Sequence, residues 1–381
     1  MEMTIQNRAI ESAVGAAGLG DILEKVQAGT RISRQDGLRL FESRALVPVA
    51  AMANLVRERK NGSAAYFIRN MHLNPTNVCV EDCKFCGFYR PYREKESGWA
   101  WTLEECFRKV REAMSESLTE VHIVGGHNPD YPYDFYIDLL RGIRQIAPAL
   151  HIKAYTCAEY EFFSRRFKKP VEEIFEDFKA AGLGSLPGGG AEVFSERVHH
   201  EIYPKKLTAD EWLEVAAKAH RAGLRSNATM LYGHIETWEE RIDHLDRLRL
   251  AQDETGGFMC FIPLAFHPEN TEMADLPGPS GLDDLLTIAI SRLMLDNFDH
   301  IKAYWIMISP RLAQQGLWCG ADDIDGTIVE EKIVHMAGAT TPVGLTMNQL
   351  LRLIRETGRV PVQRDSIYGI VRRFEDPVAV P

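Results

Sequence analysis

The sequence predicts an α/β fold, a complete or nearly closed βα barrel with helical extensions at its N and C termini. From about residue 65 onward, short apolar runs alternate with longer amphipathic segments, the pattern of parallel strands joined by crossover helices. Glycine-rich polar segments follow several of these runs, where the loops of a βα barrel carry active sites. The 381 residues, 45% of them hydrophobic, suffice for one large core.

Three consecutive regions divide the chain. The pattern indicates a helical N-terminal extension at residues 1–60, the barrel at residues 61–324, and a C-terminal helical segment packed on the barrel at residues 325–381. The predicted strands cover residues 66–74, 121–125, 151–155, 184–186, 225–232, 258–264, 301–307 and 321–324.

Helix boundaries carry their own signals. Capping boxes of the form Thr-x-x-Glu or Thr-x-x-Gln predict helix starts, because the two side chains satisfy free backbone N–H groups reciprocally. These boxes begin at Thr102, Thr208, Thr237 and Thr346. Glycines that turn into the next strand predict helix ends at Gly182, Gly223 and Gly358.

Composition excludes several classes of protein. The formal net charge of −10 argues against a general nucleic-acid or membrane-surface binder, because both need a basic excess to meet phosphate. No apolar run approaches the roughly 18 residues that span a bilayer, and the start lacks the basic and apolar regions of a signal peptide. We therefore expect a cytoplasmic protein that acts on a small molecule.

The most informative motif is Cys79-x-x-x-Cys83-x-x-Cys86, which follows the first predicted strand. Three thiolates brought together in this way can hold three irons of a [4Fe-4S] cluster and leave the fourth iron open to S-adenosylmethionine (SAM). A structural zinc site is one alternative, although it usually takes four ligands and no second Cys/His pair is suitably spaced. Packed free thiols are the other, and they are our interpretation of the isolated Cys106, Cys157, Cys260 and Cys319.

Several segments resemble radical SAM enzymes in order and spacing. An aromatic residue, Phe85, precedes the third cysteine, and Gly125-Gly126-His127 is similar to the loop whose backbone binds the methionine amino group of SAM. Residues 230–237 and 261–264 resemble the fifth and sixth strands, of which the fifth meets adenine. The resemblance implies a TIM-type barrel and SAM contacts at Phe85, Gly125, Gly126, His127, Glu192, Tyr232, Gly233 and Ile262.

A longer match resembles the aminofutalosine synthase family of the futalosine route to menaquinone. It comprises residues 185–192, 227–237, 252–258 and 261–271. Dehypoxanthine futalosine cyclase and F0 synthase share parts of it and stay as alternatives. The synthase is favoured because the segments 231–234 and 264–267 look like its versions.

The resemblance implies a radical reaction with SAM as co-substrate. The 5′-deoxyadenosyl radical would add to the enolpyruvyl double bond of 3-[(1-carboxyvinyl)oxy]benzoate, and aryl migration and loss of a carboxylate would give 6-amino-6-deoxyfutalosine. A flavodoxin or ferredoxin is the expected electron donor.

Such chemistry needs a dry cavity, groups that hold the substrate carboxylates, and an acid or base. For the last two tasks the candidates are His72, Asn74, His234 and His267, each of which could instead be a satisfied buried polar residue. Glu192 is a candidate for the ribose hydroxyls or a charge at a helix N-terminus. The family more often has Gly-Gly-Leu-His where this chain has Gly125-Gly126-His127-Asn128, so whether His127 or Asn128 replaces that histidine stays open.

Overall fold

The structure is a computed structural model that describes residues 5–114, 117–329 and 331–375. The segment ahead of the first strand is helical and buries apolar side chains such as Ile22, Leu40 and Met52. Its helices are α1 (Ile5–Ala16), α2 (Gly20–Ala28), α3 (Arg34–Ser43) and α4 (Leu46–Asn61).

Strands and helices then alternate along the chain. The strands are β1 (Ala64–Ile68), β2 (Asn70–Leu73), β3 (Val78–Cys79), β4 (Arg90–Pro91), β5 (Glu120–Ile123), β6 (His151–Ala154), β7 (Ser185–Leu186), β8 (Arg225–Tyr232), β9 (Phe258–Ala265), β10 (His300–Ile301) and β11 (Asp323–Gly326). The helices between them are α5 (Leu103–Ala113), α6 (Tyr133–Ile146), α7 (Cys157–Phe167), α8 (Val171–Ala181), α9 (Glu196–Ile202), α10 (Ala209–Arg221), α11 (Trp238–Thr255), α12 (Gly281–Met294), α13 (Trp305–Ile308) and α14 (Pro310–Gly316).

The central element is a curled, seven-stranded parallel sheet of order β10-β9-β8-β7-β6-β5-β2. A second sheet contains β11 and β1, and β1 continues through Arg69 into β2. Single bridges pair Lys302 with Asp323 and Met71 with Val329. The predicted βα architecture, with parallel strands joined by helices, is thus confirmed. The strands predicted to form one barrel divide between these two sheets.

The C-terminal segment is not purely helical, so that prediction is wrong. After α15 (Ile333–Met336) and α16 (Met347–Arg355), strands β12 (Val360–Arg364) and β13 (Ile370–Arg373) form an antiparallel hairpin. β12 pairs in parallel with β1, nearly 300 residues away in the chain. The predicted strand at residues 301–307 is also too long, because β10 ends at Ile301 and α13 begins at Trp305.

The local signals are confirmed. The four Thr capping boxes form, with each hydroxyl accepting a hydrogen bond from the backbone three residues on. Gly182, Gly223 and Gly358 all adopt positive φ, at 113°, 80° and 74°. In the described part of the chain, no helix is both long and apolar enough to cross a membrane.

The two faces of the sheet differ in chemistry because side chains alternate along a strand. Met71, Val121 and Ile152 belong to the apolar core beneath the helices. The residues that follow them in sequence, His72, His122 and Lys153, are aligned across β2, β5 and β6 and lie on the opposite, inner face. The inner face therefore carries polar and titratable groups.

Candidate active site

The cysteine loop begins where β3 ends, at Cys79. Cys79 and Cys83 are buried, Cys86 is partly buried, and all three thiols are free. The Cys86 N–H donates to the Cys83 carbonyl at 3.0 Å, which gives the loop a tight turn. The structure thus brings the three predicted ligands together on one short loop.

The loop after β5 lies directly on the cysteine loop. The Gly126 N–H donates to the Thr76 carbonyl at 2.9 Å, and the His127 N–H donates to the Cys79 Sγ at 3.3 Å. A Cβ on Gly126 would sit 2.3 Å from the Val78 carbonyl oxygen, so no side chain fits at this position. Glycine is therefore required for the close approach of the two loops.

The His127 side chain connects the cysteine loop to α7. Its Nδ1 lies 3.2 Å from Glu81 Oε1, and its ring stacks on Phe162 with centroids 4.8 Å apart. Burial lowers the pKa of His127, against the opposing effect of Glu81. Asn128 donates to Thr76 Oγ1 at 3.2 Å. Both side chains thus have structural partners.

Glu159 on α7, which the sequence analysis did not identify, forms a hydrogen bond with the glycine loop. Its Oε1 accepts the Gly125 N–H at 3.1 Å and its Oε2 accepts the Thr156 N–H at 2.7 Å. Burial raises the pKa of this carboxyl to about 7. The Thr156/Glu159 capping box is a sequence pattern that could have revealed it.

A buried ion pair lies on the other side of the cysteines. Lys206 contacts the Glu192 carboxylate, and its Nζ lies 5.7 Å from the centre of the Phe85 ring. Burial opposes the charge on Lys206, but Glu192 and the Cys83 thiol hold its pKa above the usual range. Glu192 adopts a left-handed φ of 45°, and its carbonyl accepts the Leu231 N–H at 3.0 Å. Sequence reasoning named Glu192 but missed its partner.

The cysteines fit an iron–sulfur cluster chemically. Burial raises the pKa of the Cys79 thiol to about 12 and also raises the pKa values of Cys83 and Cys86. Such thiols become ligands when a metal's positive charge replaces their protons. Across residues 5–114, 117–329 and 331–375, no three His, Cys, Asp or Glu side chains converge where one metal ion could sit. An iron–sulfur cluster takes its thiolates at separate corners, so its ligands need not converge on one point.

Comparison with known proteins decides the family. Residues 73–248 match the radical SAM superfamily, and residues 255–376 match the CofH/MqnC C-terminal region. The chain is 48% identical over 358 residues to the aminodeoxyfutalosine synthase of Thermus thermophilus, a match that covers 93% of this chain and 96% of that protein. It is 40% identical over 373 residues to the aminodeoxyfutalosine synthase of Streptomyces coelicolor, covering 95% and 96%. The chain belongs to the aminodeoxyfutalosine synthase family.

The fold of this aminodeoxyfutalosine synthase family member is similar to that of methylornithine synthase. The two structures superpose with a TM-score of 0.72 over 89% of this chain and 96% of the other. Their sequences are only 16% identical, so the similarity concerns the fold alone.

The four candidate catalytic residues lie in different environments. His72 is buried on β2 and its Nε2 has no hydrogen-bond partner, while Asn74 donates to the Val124 carbonyl at 2.9 Å and leaves its Oδ1 unpaired. His234 Nδ1 accepts the Ile235 N–H at 2.7 Å, and its Nε2 lies 3.1 Å from the Leu231 carbonyl. His267 Nε2 lies 2.9 Å from the Met307 carbonyl. His72 and Asn74 thus each retain a buried, unpaired atom that a ligand could contact.

Tyr232 does not line the inner face, contrary to the role suggested for its side chain. Its hydroxyl donates to Asp284 Oδ1 at 2.6 Å on α12, and its ring lies beneath Arg241. Strand alternation places it with Ala228 and Met230 in the core under the helices. Gly233, with φ at 91°, turns the chain at the end of β8, whereas Ile262 packs with Leu264 and Tyr304 on the inner side.

Proposed function

We propose that this protein is an aminodeoxyfutalosine synthase of menaquinone biosynthesis. It would join the 5′-deoxyadenosyl group of SAM to 3-[(1-carboxyvinyl)oxy]benzoate and release 6-amino-6-deoxyfutalosine. The observation that carries the proposal is the contact between the cysteine loop and the Gly125-Gly126 loop, in a chain 48% identical to a synthase over 93% of its length.

We propose that Cys79, Cys83 and Cys86 hold a [4Fe-4S] cluster whose fourth iron is open to SAM. When bound, the cluster would supply the electron that cleaves the S–C5′ bond of SAM and yields the 5′-deoxyadenosyl radical. The Lys206 charge stabilises thiolates, because it lowers the pKa of both Cys83 and Cys86 against the effect of burial. The His127 N–H stabilises the third thiolate through its hydrogen bond to Cys79.

SAM would lie between the glycine loop and the end of β8. The backbone of Gly125 and Gly126 is close to the cysteines and suits the amino group of the methionine part. Glu192 lies beside Cys83, Lys206 and the end of β8, where a carboxylate could accept the ribose hydroxyls. Phe85, Gly233 and Ile262 complete the proposed contacts.

A radical needs protection from water, and we propose that the two sheets close into one barrel around it. Support comes from hydrogen bonds between the sheets. The Ala303 N–H donates to the Asp323 carbonyl at 2.8 Å, and the Asp322 N–H donates to the Ile301 carbonyl at 3.0 Å.

We further propose that a flavodoxin or ferredoxin reduces the cluster in the cytoplasm. An open groove of about 590 Å³ next to the cysteine loop is lined by Phe162 and by the basic Arg165, Arg166 and Lys205. Phe162 stacks on His127, whose N–H contacts Cys79, so a short path leads from the groove to the cysteine loop. All seven cysteines are free, which agrees with a reducing compartment.

The test is anaerobic incubation of the reconstituted protein with dithionite, SAM and 3-[(1-carboxyvinyl)oxy]benzoate, followed by mass spectrometry. The expected product contains all the carbons of the deoxyadenosyl group. Release of free 5′-deoxyadenosine without an adduct would refute the synthase assignment and favour hydrogen abstraction, as in a cyclase. Absence of any SAM cleavage would refute the radical reaction itself.

A further inference from the structure

Two neighbouring histidines lie on the inner face of the sheet, and their imidazole side chains have no hydrogen-bond partners among the described residues. His72 and His122 are aligned on β2 and β5, and their ring centroids lie 4.8 Å apart. His72 Nε2 is buried and unpaired. Buried imidazoles normally find a partner, because leaving a donor unsatisfied costs free energy. The pair therefore indicates a site for a ligand with hydrogen-bonding oxygens.

Several residues around the pair retain accessible surface. His122 retains accessible surface although it lies on an inner strand, and so do Val124 on the same side and Leu264 and Tyr304 on the other side. Lys302, which follows β10, lies close enough to Lys153 on β6 for its charge to lower the pKa of Lys153. These inner-face residues are therefore not fully packed against one another.

The two lysines near the pair already form ion pairs with carboxylates. Lys153 lies 2.7 Å from Glu120, and Lys302 lies 3.1 Å from Asp325. The titratable groups that act on the two histidines are Glu120, Lys153, Lys302, Asp325 and Glu331. Burial lowers the pKa of both histidines, and His122 is lowered further by His72 and Lys153, so both imidazoles are neutral near pH 7. They can gain a proton when a negative charge arrives.

The position of the pair suits one end of the proposed substrate. His122 lies three residues before Gly125, about 10 Å along an extended strand from the loop proposed to hold SAM. The enolpyruvyl carbon must approach the deoxyadenosyl group near that loop. A substrate that extends from this loop along β5 would bring the carboxylate on its aromatic ring to the histidines.

We propose that His122 and His72 together bind the aromatic carboxylate of the substrate. The inference rests on the proposed function and assigns a residue, His122, that the sequence motifs do not reveal. Binding brings a negative charge next to two unpaired imidazoles, and protonation of the pair then compensates that charge. The two histidines select a benzoate over an uncharged ring.

The test compares the affinities of two ligands for the reconstituted enzyme by calorimetry. One is 3-[(1-carboxyvinyl)oxy]benzoate and the other is 2-phenoxyacrylate, which lacks only the ring carboxylate. We expect His122→Asn and His72→Asn to reduce the preference for the benzoate by roughly 10- to 100-fold, the range for a hydrogen bond to a charged group. The control His220→Asn removes an imidazole that bonds to Thr255 and Ser226 outside the inner face, and it should leave the preference unchanged.

Proton uptake gives a second readout that needs no variant. Titrations at pH 6.5 in buffers of different ionisation enthalpy should show uptake with the benzoate and none with 2-phenoxyacrylate. Equal uptake with both ligands, or a wild-type preference in a folded His122→Asn variant, would overturn the inference. If the wild type forms the adduct while either result is seen, the inference alone fails. If the wild type releases only 5′-deoxyadenosine, the proposed function fails.

Discussion

Replacing Gly126 by alanine tests whether the contact between the two loops creates the SAM site. The new Cβ would lie 2.3 Å from the Val78 carbonyl oxygen, whereas ordinary contact begins at 3.4 Å, so the loops must separate by about 1 Å. Overpacking of this kind costs about 1–3 kcal/mol. If this free energy destabilises the SAM-bound state, SAM affinity decreases roughly 5- to 150-fold.

Two further glycines provide a graded control for this experiment. A Cβ on Gly125 would approach the Thr76 carbonyl oxygen to 3.0 Å, and a Cβ on Gly20 would meet no atom within 4 Å. We expect the loss of SAM affinity, measured by equilibrium binding to the reconstituted enzyme, to follow the order Gly126→Ala, Gly125→Ala, Gly20→Ala. Wild-type affinity in a folded, iron-loaded Gly126→Ala variant would refute the reasoning.

Three other predictions concern the groups around this contact. Replacing Cys79, Cys83 or Cys86 by alanine should abolish the brown absorbance of the cluster. The control Cys106→Ala should retain iron and sulfide. Because the raised pKa of Glu159 makes the folded state bind a proton more tightly, its contribution to stability falls as the pH rises from about 4.5 to about 7. Glu159→Gln should remove that fall in urea titrations, and an unchanged pH slope would contradict the assignment. Lys206→Met leaves the Glu192 carboxylate buried and unpaired, which should lower the free energy of unfolding by about 3–5 kcal/mol, whereas Lys218→Met, at a partly exposed ion pair, should change it little. A free energy of unfolding for Lys206→Met equal to that of the wild type would show that the ion pair does not contribute to stability.

Local patterns in the sequence were sufficient for the elements that depend on neighbouring residues. The predicted strand at residues 225–232 has the bounds of β8, and the Thr capping boxes form where the motif stands. The strands β12 and β13 were missed because β12 depends on pairing with β1, a contact between distant parts of the chain. Short segments such as β10 depend on the sheet in the same way.

The candidate site shows the same division. The Cys79–Cys86 loop and the Gly125-Gly126 turn are each formed by a short stretch of sequence, and the structure places the two in contact. Two other residues of the site are distant in sequence: Glu159 lies on α7 and Lys206 lies in the turn between α9 and α10. The alternation of apolar Val121 and Ile123 around His122 was a visible sign that this histidine faces away from the core. Tyr232 was predicted to contact SAM, whereas its position in the alternation places its side chain under the helices.

The pairing of β1 has a consequence for the order of events during synthesis. Both neighbours of this strand, β11 and β12, come from the last sixth of the chain, so its hydrogen bonds form only after almost the whole protein has left the ribosome. Contacts between such distant segments are slow to form. The cysteine loop, which we propose to hold the cluster, is therefore synthesised well before the sheet that contains β1 is complete.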